Sequence, residues 1–239
     1  MLSEDYNTIT AYHYEAYRPP LHSIILGKCL LDRKFKHGLD IGCGTGKSTV
    51  ALKRFCKRTL GIDPSTPMLE KTKSEEGIAY DHFDGKHLYF KENSFDIITL
   101  AGSWWYGKSQ VLLDEICKVG AIDASVVLYD FEIIFTPIYD RLQLKLKPEI
   151  NNYNHFIDFS DFNAKGFKLL SKVFEEIRFR VTAKELAHLI CSEKEVFKLL
   201  QLDYDALNPF EKLIDMLIDI YANNSIELSA KTYCTSYYL

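Results

Sequence analysis

The sequence predicts a doubly wound α/β fold: a seven-stranded, mostly parallel sheet with an antiparallel last strand and an insertion after the fifth strand. Three observations predict it. Short β-rich runs alternate with helical stretches through the first half, which implies parallel pairing through helical crossovers. One strand runs into a turn with glycines at alternate positions and then into a helix, at Leu39-Asp40-Ile41-Gly42-Cys43-Gly44-Thr45-Gly46. The 239 residues, 47% of them hydrophobic, are enough to bury the core of one such domain.

The elements follow in order. Lys36–Ile41 is the first strand and Lys47–Arg58 the helix behind the glycine turn. Thr59–Asp63 is the second strand, after which Thr66 caps a helix with Pro67 at its first position. Ile78–Phe83 and Phe95–Leu100 are the third and fourth strands, and a helix over Gln110–Val119 leads to the fifth, Ser125–Phe131. The second half changes character. Glu132–Gly166 is irregular and aromatic, with Pro137, Pro148, Asn151 and Asn152, and reads as an insertion over the sheet edge. Lys172–Val181 alternates as a sixth strand. Thr182 with Glu185, and Ser192 with Glu195, form two capping boxes, and Asn208-Pro209 opens a third helix. Lys231–Leu239 closes the chain as the seventh strand. The expected layout is one domain: an N-terminal cap over 1–21, a core over 22–131 and 167–239, and a lid over 132–166.

Bulk properties narrow the function classes. The net charge is −4, and no run of five like charges announces a polyanion, so no nucleic-acid partner is expected. Six scattered cysteines, without CxxC or His/Cys zinc spacing, predict reduced thiols and no metal. The first twenty residues lack the basic patch and apolar core of a signal peptide. No apolar run approaches the roughly 20 residues that span a bilayer. A soluble, cytoplasmic chain with no membrane partner is expected; oligomeric state is left open.

The glycine turn is the sharpest feature. Glycine admits backbone conformations closed to other residues and lets a ligand approach the main chain. A dinucleotide site prefers G-x-G-x-x-G, but here the third glycine falls one residue early and Lys47 takes its place. A phosphate loop needs a first glycine where Ile41 stands, although Gly46-Lys47-Ser48 supplies the closing G-K-S. Asp63 ends the second strand 21 residues after Gly42, where the ribose hydroxyls of an adenine nucleoside would lie. Asp84 follows the third strand and could accept from an adenine amino group. Each Asp taken alone reads first as a solvated loop residue or a cap, but three in register after three consecutive strands argue for a site.

Leu39-Asp40-Ile41-Gly42-Cys43-Gly44-Thr45-Gly46-Lys47-Ser48-Thr49 resembles motif I of the class I S-adenosylmethionine (SAM)-dependent methyltransferases. The segments GIDPSTPMLE and FDGKHLYFKENSFDIITLAGSWWY, and YRPP near the N-terminus, are similar to the ubiquinone-biosynthesis and trans-aconitate methyltransferase-like group. The resemblance covers about half the chain. It implies a Rossmann-like fold, SAM as cofactor with S-adenosylhomocysteine (SAH) as product, and a small-molecule acceptor. It also implies roles. Asp40 would anchor the methionine end of SAM through water, and Gly42, Cys43 and Gly44 would line its path. Asp63 and Pro64 would meet the ribose, Met68 the adenine face, and Asp84 and Gly85 the adenine edge. Ala101, Ser103 and Trp104 would border the methionine and sulfonium. One departure stands out: Val119-Gly120-Ala121-Ile122-Asp123 replaces the family's Pro-Gly-Gly turn.

Methyl transfer is an in-line displacement that rests mainly on alignment, with a general base where the acceptor must lose a proton. Candidates for the acceptor side are Tyr14, Tyr17, Arg18, Trp105 and Tyr139, with His13, His22 and Tyr106 further possibilities. Of the adjacent Trp104 and Trp105, one is expected in the core and the other on a pocket wall. Phe135, Tyr139, Tyr153, His155, Phe156, Phe159 and Phe162 form either a lid or a local mini-core. No catalytic base is assigned. The rival readings are a NAD-dependent oxidoreductase, a nucleotide hydrolase and a noncatalytic SAM-binding protein.

Overall fold

The computed structural model describes residues 8–144, 153–203, 208–222 and 225–239; Pro148, Asn151 and Asn152 lie outside them. The chain begins with α1 (Thr8–Ala16) and α2 (Leu21–Leu30). It then alternates through β1 (Phe35–Ile41), α3 (Lys47–Lys53), β2 (Cys56–Asp63), α4 (Thr66–Leu69), β3 (Ile78–His82) and β4 (Phe95–Ala101). Two helices, α5 (Trp104–Gly107) and α6 (Gln110–Val119), precede β5 (Gly120–Ile133) and α7 (Thr136–Arg141). The last part is β6 (Lys168–Val181), α8 (Ala183–Cys191), α9 (Lys194–Asp203), α10 (Pro209–Tyr221) and β7 (Ile226–Tyr238).

The seven strands lie in the order β3-β2-β1-β4-β5-β7-β6. Strands β1 to β5 pair in parallel, and the sheet is mostly parallel with an antiparallel end, as the sequence predicts. Asp40 stands opposite both Gly61 of β2 and Thr99 of β4, which levels the carboxyl ends of the three central strands. The connections turn away in opposite directions on either side of β1 and β4, and such a switch point opens a crevice at the carboxyl ends.

Several boundaries differ from expectation for local reasons. The helix after the glycine turn stops at Lys53 rather than Arg58, because Phe55 and Cys56 turn inward and Cys56 already starts β2. Ser65, not Thr66, holds the cap position of α4. The Thr182 capping box forms in full. Ser192 does not open α9: its hydroxyl donates to the Leu189 carbonyl and it closes α8 instead.

The chain divides into two compact units, with the division falling inside β5, β6 and β7. One comprises Pro20–Glu132, Tyr153–Glu175 and Thr232–Leu239; the other Met1–Pro19, Ile133–Asn152 and Glu176–Lys231. The expected lid over 132–166 is therefore divided between them, and much of the expected late core belongs to the second unit. In the first unit, Leu39, Ile41, Ile62, Ile98, Leu100, Val126 and Leu128 from the strands pack with Leu112, Leu113, Ile116 and Val119 of α6. Phe159 joins that core, stacked 4.8 Å from Tyr237, so this part of the insertion is sheet core rather than lid. No helix among the described residues is long and apolar enough to cross a membrane.

The structure also brings the sulfurs of Cys29 in α2 and Cys234 in β7 into bonding contact, where the sequence predicts six reduced thiols. Their Cα atoms are 7.3 Å apart. Cys43, Cys56 and Cys191 are buried and Cys117 is exposed.

The second unit is built on α8 and α10, whose Leu186, Leu189, Ile190, Leu213 and Leu217 face one another in its core. His13 of α1 and His188 of α8 are buried beside them, their Nδ1 atoms 3.0 Å apart. The Phe210 ring lies 4.7 Å from the first imidazole and 4.5 Å from the second. Burial, then the charge of His188, pushes His13 down to about 4 from 6.5, and burial, then the charge of Lys184, lowers His188, so both rings are favoured neutral. The folded state thus binds these protons more weakly than the unfolded chain. Their contribution to stability is whole above pH 6.5 and is lost as pH falls toward 4. Thermal melts between pH 7.5 and 4.5 should show a fall in Tm of about 5 °C or more that His13→Phe reduces; equal slopes in the two proteins would contradict the assignment.

Candidate active site

The site begins where β1 delivers the chain to the glycine turn. Gly42, Gly44 and Gly46 all have positive φ, at 73°, 55° and 86°. Gly42 and Cys43 donate their N–H groups to the Ile62 carbonyl, at 2.7 and 3.0 Å, so the turn is tied to β2. The three glycines face different surroundings. A Cβ on Gly42 would fall 2.3 Å from Ser103 Cβ, and one on Gly46 would fall 2.4 Å from the Tyr80 hydroxyl oxygen. A Cβ on Gly44 would meet nothing within 4 Å. Gly44 is the open face of the turn.

Asp40 stands behind it, with 0% of its surface exposed. One carboxylate oxygen accepts from the Ser48 and Thr49 hydroxyls at 2.5 and 2.7 Å, and the other from the Thr99 hydroxyl at 2.8 Å. Burial pushes this carboxyl's pKa up, and the three hydroxyl donors oppose that. Asp40 is expected to reach a ligand through water; in the structure its bonds hold α3 and β4 to β1. One of these bonds engages Ser48, so the residue that a phosphate loop would turn toward a ligand is committed to the interior. Cys43 is buried in front of the two carboxylates, and burial with the charges of Asp40 and Asp63 keeps its thiol protonated.

Asp63, at the end of β2, is nearly buried and accepts from the Gly44 N–H and the Ser65 N–H, each at 2.8 Å. Each oxygen keeps a further lone pair. Pro64 is exposed beside it and Met68 is half-buried on α4. Asp84 reaches the same edge but folds onto its own turn, accepting from the Lys86 and His87 N–H groups and from His87 Nδ1. Those bonds hold its carboxyl well below the usual range. An adenine amine would have to compete with His87 for it. Gly85, at φ 84°, leaves open space next to Pro64.

On the β4 side, Ala101 and Ser103 are half-buried, and the Ser103 hydroxyl donates to the Ile41 carbonyl. Trp104 departs from its expected place beside the cofactor. It is 1% exposed, donates Nε1–H to the Asp158 carbonyl at 3.1 Å, and packs edge-on to Phe159 and Phe162. Trp105 is the half-exposed member of the pair, with the Lys108 ammonium 3.9 Å above its ring.

Residues 39–128, which carry this whole edge, match the methyltransferase domain family. Demethylmenaquinone methyltransferase from Staphylococcus aureus (strain MRSA252) is 32% identical over 171 residues, 62% of this chain and 69% of that protein. The chain belongs to the class I SAM-dependent methyltransferase family. Solved structures agree on the fold. A type II methyltransferase from Anaeromyxobacter dehalogenans matches with a TM-score of 0.67 at 16% identity, over 92% of this chain and 97% of that one. Phosphoethanolamine N-methyltransferase 2 from Haemonchus contortus, in complex with phosphomonomethylethanolamine and SAH, matches with 0.56 at 16% identity, over 98% of this chain and 59% of that one.

Of the methyltransferase's expected acceptor-side residues, Trp105, with His22 and Tyr106 of the further possibilities, lies in the sheet-bearing unit. In the helical unit, the Arg18 guanidinium sits 3.5 Å over the Tyr14 ring, and its Nε is buried without a hydrogen-bond partner. Tyr17 and Tyr139 pack against that unit's core, and burial pushes both phenols up. His13 is the core residue described above, and His22 bonds the Tyr129 hydroxyl at 3.1 Å.

One group escaped the sequence reading. Asp130, one residue beyond the Ala101–Tyr129 register pair, receives Tyr153 Oη at 2.7 Å and pairs with His155 Nδ1 at 2.9 Å. The available signal was an acidic residue at the end of the fifth strand, the same signal that marked Asp63.

The glycine contacts separate two substitutions. Gly42→Ala forces a backbone-adjacent clash as well as a strained φ and should cost about 3 kcal/mol. Gly44→Ala adds only the strain, about 1 kcal/mol. Urea unfolding of both variants checks the order; equal losses would mean that the turn does not pack on Ser103 as described.

Proposed function

We propose that this methyltransferase binds SAM across the carboxyl ends of β1, β2 and β4 and methylates a small-molecule acceptor, releasing SAH. The observation that carries the reading is the open backbone at Gly44 with the Asp63 carboxylate against it. The turn offers close main-chain approach, and Asp63 has lone pairs left for the ribose hydroxyls. Gly42, Cys43, Ala101 and Ser103 would flank the methionine end; Pro64, Met68 and Gly85 would flank the nucleoside. Asp40 would hold the turn in shape rather than touch the ligand. When bound, SAM supplies an electrophilic methyl group on a cationic sulfonium.

A small acceptor is favoured by the relatives: the Staphylococcus aureus protein is named for demethylmenaquinone, and the Haemonchus contortus enzyme is seen with SAM, or with SAH and a small phosphoamine. We extend the same reading to the whole chain as one working methyltransferase domain, acting without nucleic-acid or membrane partners in the cytoplasm.

Isothermal titration with SAM, SAH, NADH and ATP tests this. SAM and SAH should bind selectively, and Asp63→Ala should weaken both by about tenfold or more, at least 1.4 kcal/mol. Circular dichroism confirms that the variant is folded, since Asp63 also holds the turn. Preference for NADH or ATP, or no adenosyl binding by folded protein, would overturn the proposal.

A further inference from the structure

The insertion returns to the sheet-bearing unit at Tyr153 and brings a polar cluster to the carboxyl end of β5. The Tyr153 hydroxyl bridges the Gly102 carbonyl, at 2.9 Å, and the Asp130 carboxylate, at 2.7 Å. His155 turns Nδ1 toward the same carboxylate oxygen and lies nearly parallel to the Tyr233 ring, 5.9 Å away with 11° between planes. Asp130, His155 and Tyr233 line a narrow slot with Leu100, Gly102 and Thr235. Gly102 follows β4 directly, so the slot opens beside the switch point where the fold places ligands.

We infer that Asp130 and His155 form a proton-accepting pair for a hydroxyl-bearing methyl acceptor, with His155 the catalytic residue and Asp130 its positioning residue. The inference rests on the methyltransferase reading for its reaction but on this cluster for its chemistry.

Three features carry it. A carboxylate at Nδ1 selects the tautomer with the proton on that nitrogen, which leaves Nε2 as the basic atom and stabilises the ring once protonated. Tyr153 already fastens this segment to Gly102 and Asp130, so anchorage alone does not require the imidazole. And 29% of the His155 side chain is exposed, so the ring is reachable. Tyr233 also stands against the ring. Burial, then the charges of Glu132 and Asp130, pushes that phenol up and keeps it protonated. Tyr233 can wall the slot but is a poor proton acceptor.

In the step, the acceptor oxygen, or a carbon conjugated to it, forms the new bond to the methyl carbon. The donor's carbon–sulfur bond breaks and its electron pair stays on sulfur. The hydroxyl proton passes to His155 Nε2, so the positive charge lost at sulfur reappears on an imidazolium facing Asp130. Water then removes the proton. The acceptor class assigned is an acidic hydroxyl compound, a phenol or enol, rather than an amine.

The test uses full-chain protein and 4-nitrophenol, which ionises near neutrality and turns yellow when it does. Titrations are followed by absorbance at pH 6, with and without SAH, while SAH binding is measured separately by calorimetry. Bound 4-nitrophenol should be about tenfold more ionised than free. His155→Gln and Asp130→Asn should each abolish the gain while keeping the wild-type circular dichroism spectrum. Binding as the neutral phenol, no binding, or an unchanged gain in both folded variants would overturn the pair. If SAH binds but the phenol stays neutral, the pair fails and the methyltransferase function stands. If the phenol ionises but SAH does not bind, the pair stands and the cofactor reading fails. Should His155→Gln not fold, Asp130→Asn alone decides.

Discussion

The carboxylate of Asp40 is the interaction on which the rest of the site depends. An ionised carboxyl taken wholly out of water is costly unless donors replace its hydration. Here the donors are hydroxyls from two places: Ser48 and Thr49 on the first turn of α3, and Thr99 on β4. One buried group therefore sets the position of the helix behind the glycine turn and the level of the neighbouring strand. Gly42 can approach Ser103 because β1 and β4 are already locked in register. Gly42 and Gly46 are both closed over by side chains, and Gly44 between them lies open.

From that point the edge is a row of carboxylates with unequal commitments. Asp40 is wholly buried and takes three hydroxyls inside the protein. Asp63 is engaged with two backbone N–H groups yet keeps a lone pair on each oxygen. Asp84 is folded onto its own turn. Asp130 gathers a phenol and an imidazole from the insertion. Each lies at or near the carboxyl end of a strand, and Asp63 and Asp130 are the two that bind groups from other segments while keeping some exposure.

This explains what was legible in the sequence and what was not. Strand–turn–helix order, the glycine spacing and the acidic residues after strands are local, and they located β1 to β5 and the turn. What each side chain faces is not local. Trp104 and Trp105 are indistinguishable as letters, and Phe159 and Phe162 some fifty residues away decide that the first is core. Asp40 reads as a ligand contact until Thr99 is brought opposite it. Ser192 reads as a cap until its hydroxyl turns back to α8. The division of the insertion was likewise hidden, because Tyr139 and Phe159 carry the same aromatic signal while belonging to different units.

The same geometry bears on which ligand the turn can hold. A phosphate site needs unoccupied backbone N–H groups and a positive surround. In this turn the N–H groups of Gly42 and Cys43 are held by the Ile62 carbonyl and that of Gly44 by Asp63. Lys47 is exposed on the helix, and Ser48 is held by Asp40. A pyrophosphate would therefore meet a carboxylate where it requires donors. A ligand that presents hydroxyls and a positive charge meets acceptors instead, and the neighbouring carboxylates lower its energy through their field. The near match to a phosphate loop is thus undone by hydrogen bonding rather than by the missing glycine alone, and that favours a cationic nucleoside over a nucleotide.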